Sequence, residues 1–157
     1  MSNIKVVVVK NKQQANNAYD LLLDMIHTMG YNENPLRDEF IKSVLENPSR
    51  IAFFLAIENK LPVGIASLGV DFSPYEATFQ AFLKALYVIP EKRGKGIAEL
   101  IFTAVKKETK KRRLKGGLFW LVHQNNKASL SFFEKRPEVS KHGKEALHLF
   151  VLPYEKL

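Results

Sequence analysis

The stretch PEKRGKGIAEL, Pro90 to Leu100, sets a proline, two glycines and three cations (Lys92, Arg93 and Lys95) directly before a helical pattern. Ile97, Leu100, Ile101, Ala104 and Val105 recur at the i, i+3, i+4, i+7, i+8 spacing of one apolar face. The spacing predicts a helix from about Gly96 that packs this face on a sheet. The first N–H groups of such a helix lack intrahelical acceptors and point back into the glycine turn. Glycine leaves the backbone bare and tolerates positive φ, so several N–H groups can converge on one anion. The helix dipole favours negative charge at the same end, and Arg93 and Lys95 add net charge. The chemistry that fits is phosphate, and a diphosphate better than a lone one, because the whole turn is shaped as a cradle. The spacing is neither that of a P-loop nor that of the dinucleotide fingerprint G-x-G-x-x-G. On composition alone, a turn that only redirects the chain from strand to helix is an equal reading.

Working outward, ATFQAFLKALYVI (residues 77–89) reads as a long strand closed by Pro90. Upstream, the β-branched run Ile4 to Val9 reads as a buried strand. Ala18, Leu21, Leu22, Met25, Ile26 and Met29 predict a helix capped by Gly30. Asn34 and Pro35 predict the cap and first residue of a second helix, with Leu36, Phe40, Ile41, Val44 and Leu45 on its apolar face. RIAFFLAI and LPVGIASLGV form a hairpin across ENK, and SPYE (Ser73 to Glu76) is a turn. Downstream come a strand, LFWLV; a polar turn, HQNN; a short helix, KASLSFFEK; and a last strand, ALHLFVL. Adjacent antiparallel strands come first and strand-helix-strand units later. The expectation is an α/β fold: a mixed sheet with helices on both faces. No repeat, low-complexity segment or linker interrupts it, so residues 1–157 are expected to be one domain.

The composition narrows the partners. With 157 residues the chain can bury a sizeable core. It has no cysteine, which excludes disulfides and thiolate metal sites and suits the cytoplasm. No apolar run is long enough to span a bilayer, and the N-terminal apolar run is too short for a signal peptide. Lys and Arg number 24 against 16 Asp and Glu, a net charge of +8 that favours anionic partners. Much of the excess lies in KKETKKRRLK, Lys106 to Lys115, which reads first as the solvated end of a helix and second as a nucleic-acid contact.

LYVIPEKRGKGIAELI closely resembles the acetyl-CoA signature of the GNAT N-acetyltransferases. The core pattern Q/R-x-x-G-x-G/A is met by Arg93, Gly96 and Ala98, with Gly94, Lys95 and Ile97 between them. LVHQNNKASLSFFEK resembles the second CoA segment of that family, a strand, then N-x-x-[AS], then an aromatic helix. Asn126, Ser129, Phe132 and Phe133 fall on its positions. The order of elements matches along nearly the whole chain. The resemblance implies a GNAT-like, largely antiparallel sheet, splayed between the fourth and fifth strands, with acetyl-CoA as co-substrate and no metal. The pantetheine arm would pair with backbone groups of Leu86, Tyr87 and Val88, as a ligand added to a sheet edge. The pyrophosphate would sit on the N–H groups from Gly94 to Ala98, beside Arg93. Asn126, Ser129 and Phe133 are carried over as further CoA contacts.

The same resemblance implies acetyl transfer to a primary amine by direct attack in a ternary complex. The amine must lose a proton, the thioester oxygen must be stabilised, and the leaving thiolate gains from a proton. The backbone N–H of Val88 is the oxyanion candidate. Relatives often carry a tyrosine acid where this chain has Phe133, which cannot donate a proton. A thiol of pKa about 8.5 can nevertheless leave unassisted. Relatives also carry a glutamate in the long strand. Here that strand holds Gln80 and Lys84 but no internal carboxylate, leaving Glu76 and His123 as candidate bases through water. Tyr31, Glu33 and Asp71 are candidates for holding a cationic acceptor. The competing readings are a catalytically silent acyl-CoA-binding protein, favoured by Phe133, and a basic nucleic-acid-binding module, favoured by charge alone. No membrane partner is expected, and the assembly is expected to be a monomer or homodimer.

Overall fold

The computed structural model describes residues 3–142 and 147–157. In chain order the elements are β1 (Ile4–Val8), α1 (Lys12–Thr28), α2 (Arg37–Glu46), β2 (Ile51–Glu58), β3 (Leu61–Ser73) and β4 (Thr78–Val88). Then follow α3 (Ile97–Lys111), β5 (Leu118–His123), α4 (Lys127–Glu134), β6 (Ser140–His142) and β7 (Leu147–Leu152). Single 3-10 turns occupy Pro90–Lys92 and Tyr154–Lys156. The seven strands are hydrogen-bonded in the order β1-β2-β3-β4-β5-β7-β6. Pairing is antiparallel for β1–β2, β5–β7 and β6–β7. It is parallel for β4–β5, at Ala81↔Leu118 and Phe82↔Phe119, and β4 itself continues to Val88. This is the mixed α/β sheet that the element order implied, largely antiparallel as the resemblance implied.

The chain folds as two compact units, Met1–Leu68 with Ala85–Val105, and Gly69–Lys84 with Lys106–Leu157. In the first, Ala15, Ala18 and Leu21 of α1 and Ile41 and Val44 of α2 pack with Phe53, Leu55, Ile65 and Tyr87 of the strands. This is the apolar stripe that the periodicity of both helices demanded. Asn11 caps α1 by accepting the Gln14 N–H at 2.9 Å. The two-residue turn between β2 and β3 is Asn59 and Lys60, with φ of 49° and 69°, as a tight hairpin requires. α3 buries Ile97, Ile101, Phe102 and Val105, with Ile101 reaching Gly64 of β3.

Two expectations are corrected. Asn34 and Pro35 do not open α2, which begins at Arg37 with Leu36 in the capping position. Tertiary bonds to α1 override the local signal. The Pro35 carbonyl accepts the Tyr19 hydroxyl at 2.6 Å, and the Asn34 side chain donates to the Asn32 carbonyl instead of capping. Arg37 is held by Asn16 at 3.1 Å and Asp20 at 2.6 Å and lies 4.2 Å from the centre of the Tyr19 ring. The second correction is β6, which the sequence did not announce. Its residues, Ser140 to His142, are polar, so an edge strand formed by backbone pairing with β7 leaves no apolar alternation to read.

In the second unit, Leu118, Trp120 and Val122 of β5, Phe150 and Leu152 of β7, and Leu130 and Phe133 of α4 are buried. Trp120 is the centre of this aromatic packing, 4.7 Å from the Phe133 ring and 5.7 Å from Phe150 between centroids. Ala146, expected to open the last strand, lies outside the described residues.

The approach of α3 and β4 to β3 depends on the missing side chain of Gly64. A β-carbon there would stand 2.9 Å from Ile101 Cδ1 and 2.9 Å from the Tyr87 carbonyl oxygen. The carbonyl belongs to a strand and cannot swing aside as a side-chain end can. Gly64→Ala is therefore expected to destabilise the fold by roughly 1–3 kcal/mol, the range for overpacking. Urea denaturation of the two proteins reads this directly, and equal midpoints would contradict it.

Candidate functional site

The turn that opens α3 carries the candidate site. β4 ends at Val88, and the 3-10 turn Pro90–Lys92 follows, closed by Lys92 N–H to Ile89 C=O at 3.0 Å. Gly94 and Gly96 then adopt φ of 72° and 79°. A β-carbon at either would meet nothing within 4 Å. Both glycines are thus required by backbone conformation, and both face open space. The first helical bond of α3 runs from the Leu100 N–H to the Gly96 carbonyl at 3.1 Å. The N–H groups of Ile97 and Ala98 precede that bond, so helix geometry gives them no acceptor. The Ile97 side chain is buried and anchors the helix start.

The three cations of the turn take different roles. Lys92 forms an ion pair with Glu58, a carboxylate only 5% exposed at the end of β2. Arg93 donates from Nε to the Val88 carbonyl at 2.9 Å, and its guanidinium carbon lies 5.6 Å from the Tyr87 ring centre. Only Lys95 is exposed without a side-chain partner among the described residues. The positive charge facing outward is therefore smaller than the sequence implied, and the bare backbone is correspondingly more important.

At the end of β4 the backbone directions are set by one bond. The Ile89 N–H donates to the Val63 carbonyl of β3 at 3.1 Å. Successive strand residues send their backbone groups to alternate sides. Val88 and Leu86 thus direct theirs away from β3, and Tyr87 directs its own toward it. Of the three residues expected at the open edge, alternation favours Leu86 and Val88. The Val88 carbonyl is engaged by Arg93, which leaves the Val88 N–H.

Tyr87 has a different part. Its side chain is 5% exposed, and its hydroxyl donates to the carboxylate of Asp24 on α1. Burial, and then the bond to Asp24, raise this phenol above its ordinary value of 10.0, against smaller opposing effects of Thr28 and Arg93. The pair joins residues 63 positions apart, and sequence reasoning missed it. The available signal was an acidic residue three places after Leu21, at the margin of the apolar face of α1.

The remaining candidates stand as follows. Glu76 is exposed in the turn between β3 and β4, and Asp71, also exposed, accepts from the Gln80 amide at 3.2 Å. His123 is the exposed last residue of β5, its Nδ1 accepting the Asn125 N–H at 3.1 Å. Tyr31 and Glu33 are exposed in the loop between α1 and α2. Asn126 caps α4 by accepting the Ser129 N–H at 3.1 Å. Phe133 is 3% exposed within the aromatic core. Of the basic run, Lys106 pairs with Glu138 at 3.4 Å and Arg112 with Glu108 at 2.8 Å. Among the described residues no helix is long and apolar enough to cross a membrane. No group of three or more His, Asp or Glu is placed to hold a metal among them.

The sequence matches the acetyltransferase (GNAT) family over residues 16–136. No curated protein matches it. The fold is similar to that of an aminoglycoside acetyltransferase, meta-AAC0020, from an uncultured soil metagenomic sample. That likeness has a TM-score of 0.77 at 17% identity and covers 90% of this chain and 93% of the other. It is also similar to the PaiA N-acetyltransferase from Thermoplasma acidophilum in complex with coenzyme A, with a TM-score of 0.68, 16% identity and coverage of 96% and 99%. Aminoglycoside N-acetyltransferase AAC(6')-Iy in complex with CoA gives 0.71 at 16% identity, covering 86% and 87%.

The raised Tyr87 pKa sets a pH signature. The protonated phenol is favoured by folding, so its contribution is fully present below the unfolded value of 10.0 and is lost as pH rises through the folded value. Tyr87→Phe should cost about 1 kcal/mol near neutrality, the usual worth of one hydrogen bond. The gap between the two proteins should close above pH 10.0. Denaturation midpoints across alkaline pH measure it, and a gap that stays constant would show that the phenol does not titrate with folding.

Proposed function

The chain belongs to the acetyltransferase (GNAT) family, and from that membership we propose that it moves the acetyl group of acetyl-CoA to a primary amine by direct attack in a ternary complex. The observation that carries the donor half is the turn Gly94–Gly96. It has two positive-φ glycines open to solvent, the leading N–H groups of Ile97 and Ala98, and the uncommitted Lys95. A diphosphate fits that arrangement by backbone donors, dipole and charge together. The backbone groups of Leu86 would lie along the pantetheine, with the Val88 N–H beyond them toward the acetyl group. The family match runs through residues of both units, which supports reading the whole chain as one acetyltransferase domain. The lack of cysteine suits the cytoplasm. We take the protein to act there as a monomer or homodimer.

Acetyl-CoA, when bound, supplies the acetyl thioester and a thiolate leaving group. The Val88 N–H would hold the carbonyl oxygen as negative charge grows on it. Binding both substrates at one place removes most of the entropic cost of encounter. As the nitrogen–carbon bond forms and the carbon–sulfur bond breaks, one proton leaves nitrogen and one reaches sulfur. The first goes to water, with Glu76 and His123, both exposed, as candidate final acceptors. The second also comes from water, because Phe133 has none to give. Asn126 orders the start of α4 through Ser129. In this reading its contribution to CoA binding is the shape of that helix start. The buried Phe133 also favours a second reading, an acyl-CoA-binding protein without turnover.

Acetyl-CoA is expected to raise the melting temperature of the wild type, and Gly96→Glu is expected to abolish that shift. The new carboxylate would repel the diphosphate, and any side chain at φ 79° is strained. An unchanged shift in the variant would move the donor site elsewhere. A panel of amines assayed by release of free CoA separates the two readings, since the silent protein would bind acetyl-CoA and release none.

A further inference from the structure

Asp24 is a carboxylate held in one place but given no cation. One turn earlier on α1, Asp20 is engaged by Arg37 at 2.6 Å. Asp24 has no ion-pair partner among the described residues, and its Oδ2 accepts the Tyr87 hydroxyl. That hydroxyl is fixed, because Tyr87 is buried in the core that joins α1 to the strands. Asp24 itself is exposed. The result is an oriented carboxylate with its second oxygen uncommitted, in a chain of net charge +8.

Its position relative to the reaction follows from the strand. Tyr87 directly precedes Val88, whose N–H is the proposed oxyanion donor. Asp24 lies beyond the far end of the Tyr87 side chain, away from the β4 backbone. An attacking nitrogen must come within roughly 3–3.5 Å of the acetyl carbon. A nitrogen placed there cannot also touch a carboxylate that begins where the phenol ends. Two nitrogens joined by a short alkyl chain can occupy both places. The other charged group near Tyr87 is Arg93, its guanidinium carbon 5.6 Å from the ring centre and its Nε already bonded to the Val88 carbonyl.

Resting on the acetyltransferase reading above, we propose that Asp24, oriented by Tyr87, anchors a second ammonium group of the acceptor, so that the preferred substrates are diamines or polyamines. Tyr87 acts through Asp24 and is a positioning residue. Asp24 touches the acceptor and determines specificity. A purely structural role for the pair, as a tie between α1 and β4, would change stability without changing the choice between one charge and two.

The test is calorimetric titration of the full chain, saturated with CoA, with 1,4-diaminobutane and with n-butylamine as the single-charge probe. Wild type should bind the diamine about tenfold more tightly, the roughly fivefold upper range for an exposed ion pair multiplied by the statistical factor of about two for two equivalent ends. In Asp24→Asn the preference should fall to about twofold, the statistical factor for two equivalent ends. Tyr87→Phe should lie between, since the carboxylate remains but is no longer aimed. A wild type without preference, or an Asp24→Asn protein that keeps it, overturns the proposal. Turnover of both amines separates it from its premise. If the wild type acetylates neither amine but shows the Asp24-dependent preference, the transferase reading falls and the anchor stands. If both proteins acetylate with the same diamine preference, the anchor falls and the transferase reading stands.

Discussion

At the end of β4 two neighbouring residues point their backbones in opposite directions, and the rest of the candidate site depends on that alternation. Ile89 closes onto Val63, which ties the strand end to β3. Val88 then has to face the other way. Its carbonyl is met by Arg93, and its N–H is left as a donor with a fixed direction. A single bond to β3 therefore decides which backbone N–H faces away from that strand. It also turns the Tyr87 side chain onto the face occupied by α1, where Asp24 receives it. The proposed donor edge and the proposed acceptor anchor would thus both follow from one strand register.

The turn beyond that strand is held from behind. Glu58 is nearly buried, and its charge is met by Lys92. Breaking a buried pair by removing one partner typically costs about 3–5 kcal/mol, because it strands a charge in low dielectric. The turn is thus fixed at Lys92 on one side and at the buried Ile97 on the other, with the two positive-φ glycines between. A cradle of backbone N–H groups works only if it does not have to be ordered when the anion arrives. In the proposed anion site that ordering would be supplied by an ion pair and an apolar anchor, one on each side of the glycines.

These arrangements explain what was legible in the sequence. The α/β fold was, because apolar spacing at periods near two and near 3.6 is a local property of each element. The glycine turn was, because positive φ and a helix start are also local. The roles of its cations were not. A lysine beside two glycines reads as a ligand group, and only the fold shows Lys92 meeting Glu58 from a different strand. The start of α2 misled for the same reason: Asn34 and Pro35 carry a helix-start pattern that the Tyr19–Pro35 bond overrules. Asp24 and Tyr87 carried no mutual signal, since neither residue alone departs from an ordinary helix or strand.

The sequence also posed a problem of missing carboxylates, and the structure changes its terms. The strand that holds a glutamate in many relatives has none here, yet the face beside it does hold a carboxylate, supplied by α1. Under the proposal above, Asp24 binds a cation rather than removing a proton, its Oδ2 already accepting the Tyr87 hydroxyl. A dication also eases the proton problem. With one ammonium fixed at Asp24, the second nitrogen of a short diamine loses its proton more readily than a monoamine does, since two nearby positive charges disfavour each other. An acceptor of that class reaches the Val88 edge with more of its reacting nitrogen neutral. The need for a strong protein base then falls, while the leaving sulfur still takes its proton from water.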